Sequence, residues 1–241
     1  MIYMPGHKIL ITRQPEFSVE FINKLSYNRF YPYILPMIKT VPHSINIRET
    51  MYDFVIVTSK NACNYIQPFM DKLSYSRAIA VGKKTKQCME MVGFRDVEVP
   101  ETFSQKGIIS YLSGEDIKGK RFFLPGAEER PEELIKFLSE KGSIVDAPTL
   151  YTTEKICYQQ DYITDFLNQI HIDAVTFLSP SAAKGFFSQV TFSKIKKVPL
   201  FVSIGPTTHD YLISIGIESI YPKTDFSVDG VVELLVSIFK S

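Results

Sequence analysis

The chain has 241 residues, 45% of them hydrophobic and 22% charged, and 27 basic against 26 acidic residues leave a formal net charge of +1. This is enough apolar material for one or two packed domains and too little charge for a disordered chain. The near balance excludes a strongly basic nucleic-acid footprint but leaves room for local basic patches that hold a small polyanion.

Taken in chain order, Ile9-Leu10-Ile11 reads as a buried strand that ends at Thr12-Arg13-Gln14-Pro15. A helix-period pattern follows, with Phe17, Phe21, Ile22 and Leu25 on one face. Phe54-Val55-Ile56-Val57 is a second strand, halted at Thr58-Ser59-Lys60-Asn61. Ala78-Ile79-Ala80-Val81 leads into Gly82, and Phe122-Phe123-Leu124 into Pro125-Gly126. Ala174 to Leu178 and Leu200 to Ile204 complete the series. Continuous apolar strands alternating with helices predict parallel sheets covered on both faces, so the class is α/β. The Pro-bounded stretches Pro36 to Pro42 and Pro148 to Tyr151 read as extended connectors.

Internal repetition sets the organisation. Asp53-Phe54-Val55-Ile56-Val57-Thr58-Ser59 recurs 120 residues later as Asp173-Ala174-Val175-Thr176-Phe177-Leu178-Ser179. At an offset of 123, Val81-Gly82-Lys83-Lys84-Thr85 matches Ile204-Gly205-Pro206-Thr207-Thr208, Gly93 matches Gly216, Phe103-Ser104 matches Phe226-Ser227 and Gly107 matches Gly230. The chain therefore reads as two related α/β units, ordered short segment, long segment, short segment, long segment. The pattern leaves open which short segment packs with which long one.

In open parallel sheets, ligands bind beyond the carboxyl ends of the strands. Four strand-to-helix turns there carry hydroxyls or glycine: Thr58-Ser59 with Asn61, Gly82 with Thr85, Ser179 with Ser181, and Gly205 with Thr207 and Thr208. Each suits a helix cap, and each also suits a carboxylate or phosphate held on backbone N–H groups. No phosphate loop ending in Gly-Lys-Ser/Thr, dinucleotide fingerprint or nucleophile elbow is present. His7, His43, His171 and His209 have no ligand spacing, and only His209 adjoins a candidate turn. Cys63, Cys88 and Cys157 are widely separated and read as buried, inert thiols in a reducing compartment. The amino terminus lacks a leader-like apolar region and no apolar run reaches bilayer length, so the expected protein is cytoplasmic, with no membrane partner, metal or cofactor.

The ordered set of these residues resembles uroporphyrinogen-III synthases. The resemblance rests on Thr58-Ser59-Lys60-Asn61-Ala62 with Val81-Gly82-Lys83-Lys84-Thr85, and on Ser179-Pro180-Ser181-Ala182 with Ile204-Gly205-Pro206-Thr207-Thr208. It is extended by Ile11-Thr12-Arg13, by the stretch ending Leu150-Tyr151, and by Phe226-Ser227 with Gly230-Val231. It implies two related parallel-sheet domains, flavodoxin- or Rossmann-like, joined by a two-stranded β linker. Residues 1–37 plus 154–241 would form a discontinuous domain, residues 43–148 an inserted one, and 38–42 with 149–153 the linker.

The resemblance further implies a monomeric enzyme acting on hydroxymethylbilane, a linear tetrapyrrole with acetate and propionate side chains. The substrate loses its hydroxyl as water, and the azafulvene is attacked at the substituted carbon of the terminal ring. A spirocyclic intermediate then fragments and recloses with that ring inverted. Tyr151 corresponds to a family tyrosine and is the expected proton donor to the leaving hydroxyl. Thr85, Thr207 and Thr208 would bind substrate carboxylates, with Ser59, Ser179 and Ser181 in the same role. Arg13 and Arg130 are further candidate carboxylate partners. Lys60 stands where many members carry a less polar residue, which adds a carboxylate contact. A non-catalytic two-domain clamp for a small polyanion is the competing expectation.

Overall fold

The structure, a computed structural model, describes residues 6–47 and 51–239. Residues 1–5, the start of the segment read for a leader, lie outside the described residues. The first half contains β1 (Lys8–Ile11), α1 (Val19–Tyr27), β2 (Tyr31–Ile34), β3 (Ile38–Pro42), β4 (Met51–Val57), α2 (Lys60–Ile66), β5 (Ser74–Ala80), α3 (Lys83–Met91), β6 (Val97–Glu98) and α4 (Gln105–Leu112). The second half contains β7 (Arg121–Phe123), β8 (Gly126–Ala127), α5 (Glu133–Glu140), β9 (Ile144–Asp146), β10 (Thr149–Lys155), α6 (Tyr162–Ile170), β11 (Ala174–Phe177), α7 (Pro180–Phe187), β12 (Leu200–Ser203), α8 (Pro206–Ser214) and α9 (Val228–Phe239). The fold is mixed α/β with parallel sheets.

Contacts divide the chain into two compact units, Met1–Lys39 with Glu154–Ser241 and Thr40–Thr153. The sheet of the first unit has the order β12-β11-β1-β2, with every neighbouring pair parallel. The sheet of the second has the order β6-β5-β4-β7-β9, again all parallel. A third sheet has the order β3-β10-β8.

Alternate strand residues point to opposite faces, and the central strands of the two larger sheets are buried on both. In the first unit Leu10, Val175 and Phe177 pack with Phe186 and Leu212, while Ile9, Ile11 and Val202 pack with Phe21, Leu25 and Leu235. In the second, Val55 and Val57 pack with Ala62 and Met89, while Phe54 and Ile56 pack with Ile108, Leu112 and Leu134.

The early short segment β1–β2 pairs with the late long one, and the late short segment containing β7 and β9 pairs with the early long one. The same residue staples both joins. Asp173 Oδ2 accepts the Lys8 backbone N–H at 3.0 Å, and Asp53 Oδ2 accepts that of Arg121 at 2.8 Å. A lysine bonds the other oxygen in each case, Lys197 at 3.0 Å and Lys120 at 3.1 Å. The Arg121 N–H, helped by Lys120, holds the Asp53 carboxyl below the usual carboxylate range. At Asp173 burial acts to raise the pKa, but the Lys8 N–H and Lys197 outweigh it and the net shift is downward.

Three local expectations are revised. Phe17 lies in the 3-10 turn Pro15–Phe17 ahead of α1 and not on the helix. Strands β2, β6 and β9 escaped the search for apolar runs because all three are sheet edges, short or half-exposed, and β2 includes Pro32. Cys63 and Cys88 are buried as expected, but Cys157 is exposed. Burial, and then its neighbour Cys88, push the Cys63 thiol far above its ordinary pKa.

Candidate active site

In the second unit β4 and β5 are parallel neighbours, so the turns that follow them share one edge of the sheet. Ser59 begins α2, its Oγ accepting the Ala62 N–H at 3.0 Å, with Lys60 exposed beside half-buried Thr58 and Asn61. Gly82 begins α3 and has no side chain with which to cap it. A Cβ at Gly82 would stand 3.1 Å from Cβ of Phe103, a contact tight enough that Phe103 would have to shift by a few tenths of an ångström. Thr85 is only 6% exposed and Gly82 is buried, so the exposed residues of this turn are Lys83 and Lys84. The next helix repeats the cap: Ser104 Oγ accepts the Gly107 N–H at 3.0 Å, and a Cβ at Gly107 would fall 1.8 Å from the Thr102 carbonyl oxygen.

The first unit carries the same construction. Ser179 Oγ accepts the Ala182 N–H at 3.2 Å, with Pro180 opening α7 and Ser181 exposed. Gly205 begins α8, Pro206 is its first residue, Thr207 is exposed and Thr208 is 2% exposed. Phe226 lies over Gly205, where a Cβ would meet its Cγ at 3.1 Å. Ser227 Oγ lies 3.4 Å from the Gly230 N–H, and a Cβ at Gly230 would fall 2.0 Å from the Asp225 carbonyl oxygen. Because β11 lies between β1 and β12 in a parallel sheet, Arg13, two residues past β1, belongs to the same carboxyl edge. Its guanidinium sits 5.4 Å over the Phe17 ring, and burial lowers its pKa against the opposing pull of Glu20. His209 is half-buried, with Nδ1 2.9 Å from Ser219 Oγ and its ring 4.7 Å from that of Tyr221.

Tyr151 lies in β10, buried to 6% exposure in the core of the second unit, its ring 4.9 Å from that of Tyr65. Tyr65 comes from α2, the helix that Ser59 caps, and its hydroxyl bonds Thr40 Oγ1. Arg130 is half-buried and gives three of its five N–H groups to backbone carbonyls. It donates to the carbonyls of Leu124 and Pro148, both at 3.2 Å, and to that of Ala147 at 2.6 Å. Burial lowers its pKa, with the nearby Tyr151 acting in the opposite sense. Its role is to tie the ends of β7 and β9 to the start of β10.

Comparison with known proteins gives this geometry a context. The family model described as uroporphyrinogen-III synthase HemD matches residues 20–233, from within α1 to within α9. The chain belongs to the uroporphyrinogen-III synthase family. It is 24% identical over 221 residues to a uroporphyrinogen-III synthase of Chlorobaculum parvum, covering 87% of this chain and 90% of the relative. It is 26% identical over 247 residues to a putative uroporphyrinogen-III synthase of Methanothermobacter thermautotrophicus, covering 95% and 97%. Its fold resembles the crystal structure of uroporphyrinogen-III synthetase from Helicobacter pylori, with a TM-score of 0.64, 19% identity and coverage of 96% of this chain and 99% of that one.

Among the site residues, the uroporphyrinogen-III synthase match includes every turn residue and Tyr151, whereas Arg13 precedes it. Within the second unit the structure gathers Thr58, Ser59, Lys60, Asn61, Gly82 and Thr85; within the first it gathers Arg13, Ser179, Ser181, Gly205, Thr207 and Thr208. Tyr65 was not anticipated, because no spacing marks a helix residue that rests on a strand some 90 positions away. Phe103 and Phe226 carried a signal, their shared place in the repeat, but nothing in the sequence tied them to the glycines they cover.

Proposed function

We propose that this protein is a uroporphyrinogen-III synthase, cyclising hydroxymethylbilane with loss of water and inversion of the terminal pyrrole, as a step in haem biosynthesis. The observation that carries the reading is that the family match runs across both halves of the duplicated turn construction and Tyr151. In this reading the substrate carboxylates bind backbone N–H groups at the turns beginning with Ser59, Gly82, Ser179 and Gly205. Ser59 and Ser179 accept the cap bonds through Oγ, so each keeps an O–H to donate to a carboxylate. Thr58, Lys60, Asn61, Ser181, Thr207 and Arg13 add polar or cationic groups at the same edges. Thr85 and Thr208 are buried as whole residues, and their part in this reading is to hold the turns that present these groups.

Tyr151 donates its proton to the departing hydroxyl, and the azafulvene is then attacked at the substituted carbon of the terminal ring. The chemistry asks mainly for one fixed substrate conformation, because an unguided azafulvene closes to the non-inverted isomer. The units act as two flavodoxin- or Rossmann-like domains, residues 1–37 with 154–241 and residues 43–148, hinged on strands 38–42 and 149–153. The protein works as a cytoplasmic monomer without nucleic-acid partners.

A coupled assay that generates hydroxymethylbilane in place, followed by separation of the oxidised uroporphyrin isomers, tests this. The III isomer is expected, and the Tyr151→Phe variant should lower kcat with little change in KM. Formation of the I isomer alone by folded protein would replace the enzyme with a clamp for a small polyanion.

A further inference from the structure

We propose that Phe103 and Phe226 are substrate-contacting residues whose exposed ring faces stack on pyrrole rings of the tetrapyrrole. The proposal rests on the synthase reading above and adds to it the contact for the aromatic part of the substrate. The groups described so far answer the carboxylates, through N–H groups, hydroxyls and lysines. A tetrapyrrole also presents four electron-rich, flat rings, and none of those groups matches them.

Each phenylalanine packs on its turn glycine through Cβ, Cγ and Cδ1 and is still half exposed. Cβ or Cγ of the side chain lies 3.1 Å from where a Cβ would stand on Gly82 or Gly205, so the turn glycine and the phenylalanine interlock. Yet Phe103 is 55% exposed and Phe226 is 51% exposed. Covering a glycine takes only the first atoms of the side chain, and a valine or leucine would do it. The remaining ring area lies in water, where apolar surface is unfavourable, and it does so at the same position in both units. A single exposed aromatic needs no explanation; what singles out these two is that each packs on the turn glycine at the matching position of its unit.

The surroundings of Phe103 offer an apolar wall with charged groups of both signs. Phe103 lines a pocket of about 740 Å³ together with apolar Val99 and Pro100, the cations Lys83 and Lys86, and the acids Glu90 and Glu101. This is within the range of small-ligand pockets. The Lys83 ammonium stands 5.9 Å over the Phe103 ring, and Lys86 pairs with Glu90 at 3.6 Å. A pyrrole stacked on Phe103 would have an acetate or propionate within reach of these lysines. In the first unit Tyr221, 6.2 Å from Phe226, extends the aromatic surface in place of lysines.

The test is steady-state kinetics on hydroxymethylbilane with Phe103→Leu, Phe226→Leu, the double variant and Phe103→Tyr, with melting temperatures measured alongside. Leucine keeps the cover over glycine and removes the π face, so melting should shift by no more than about 3 °C. KM should rise about fivefold for each leucine variant and about twenty-five-fold for the pair, with kcat changed less. The tyrosine variant should retain the parent KM. Leucine variants with the parent KM and isomer ratio, in a parent that forms the III isomer, would overturn the stacking alone. A parent that forms only the I isomer would remove the synthase reading and this proposal together.

Discussion

The two units build the same edge with different chemistry at the helix starts. Ser59 and Ser179 cap in the same way, Gly82 and Gly205 each lie beneath a phenylalanine, and Gly107 and Gly230 each nest against a carbonyl two ångströms or less from a virtual Cβ. The first helical residues differ: Lys60 and Lys83 in the second unit, Pro180 and Pro206 in the first. Proline at that position is pre-organised for the helix and gives up only an N–H that has no intrahelical partner. Lysine there opposes the helix dipole. What the units share is therefore backbone geometry, which the fold demands, and what they vary is charge, which the fold does not.

The sharpest way to break this comparison is at the nested glycines. Gly107→Ala and Gly230→Ala each place a methyl inside a carbonyl contact, and each should cost about 3 kcal/mol in urea unfolding. Tolerance at one site with collapse at the other would show that the two copies are not mechanically equivalent. The aspartate staples come next. Asp53→Ala and Asp173→Ala each remove a charged acceptor from the first N–H of the neighbouring strand, at about 2 kcal/mol.

These staples also fix a pH dependence. Both carboxyls have folded-state pKa values below the ordinary one. Their contribution is therefore complete above the unfolded value, about 3.9, and is lost as pH falls through the folded values. Urea midpoints of the parent should drop below about pH 4, and the Asp53→Ala/Asp173→Ala double variant should show a shallower drop. Identical slopes would remove the assignment.

Smaller effects sharpen the comparison. Ser59→Ala and Ser179→Ala should each lose about 1 kcal/mol as caps, and a fall in activity larger than the stability loss would separate substrate contact from capping. The smallest shift is expected for Lys83→Glu, which should stabilise the second unit by about 0.5 kcal/mol at low salt through the helix dipole while raising KM for a polycarboxylate. A gain in affinity would remove Lys83 from the binding edge.

The α/β class was legible because the central strands are buried on both faces and so appear as unbroken apolar runs, as at Phe54 to Val57 and Ala174 to Phe177. The edge strands β2, β6 and β9 were not legible, since a short or half-exposed strand such as Tyr31–Ile34 needs no apolar run, whereas the edge strand β12 was, its residues being mostly buried. At the candidate site the turns were visible as Ser and Gly at strand ends, but the fate of individual side chains was not. Arg130 looks like a surface cation in sequence and is half-buried, bonded to three carbonyls, while Thr85 and Thr208 look like open hydroxyls and are buried.

The amino-acid sequence alone determined the fold class, the duplicated order of elements and the resemblance to the synthase family, because these reside in local apolar periodicity and in residue identities along the chain. Which short segment joins which long one was implied by the resemblance but left open by the chain's own pattern, and the tertiary structure shows how it is decided. That choice is made by backbone hydrogen bonds and by staples such as Asp173 to Lys8, 165 residues apart. Backbone pairing leaves almost no side-chain signature, and an aspartate at a strand start looks the same whichever strand it will hold.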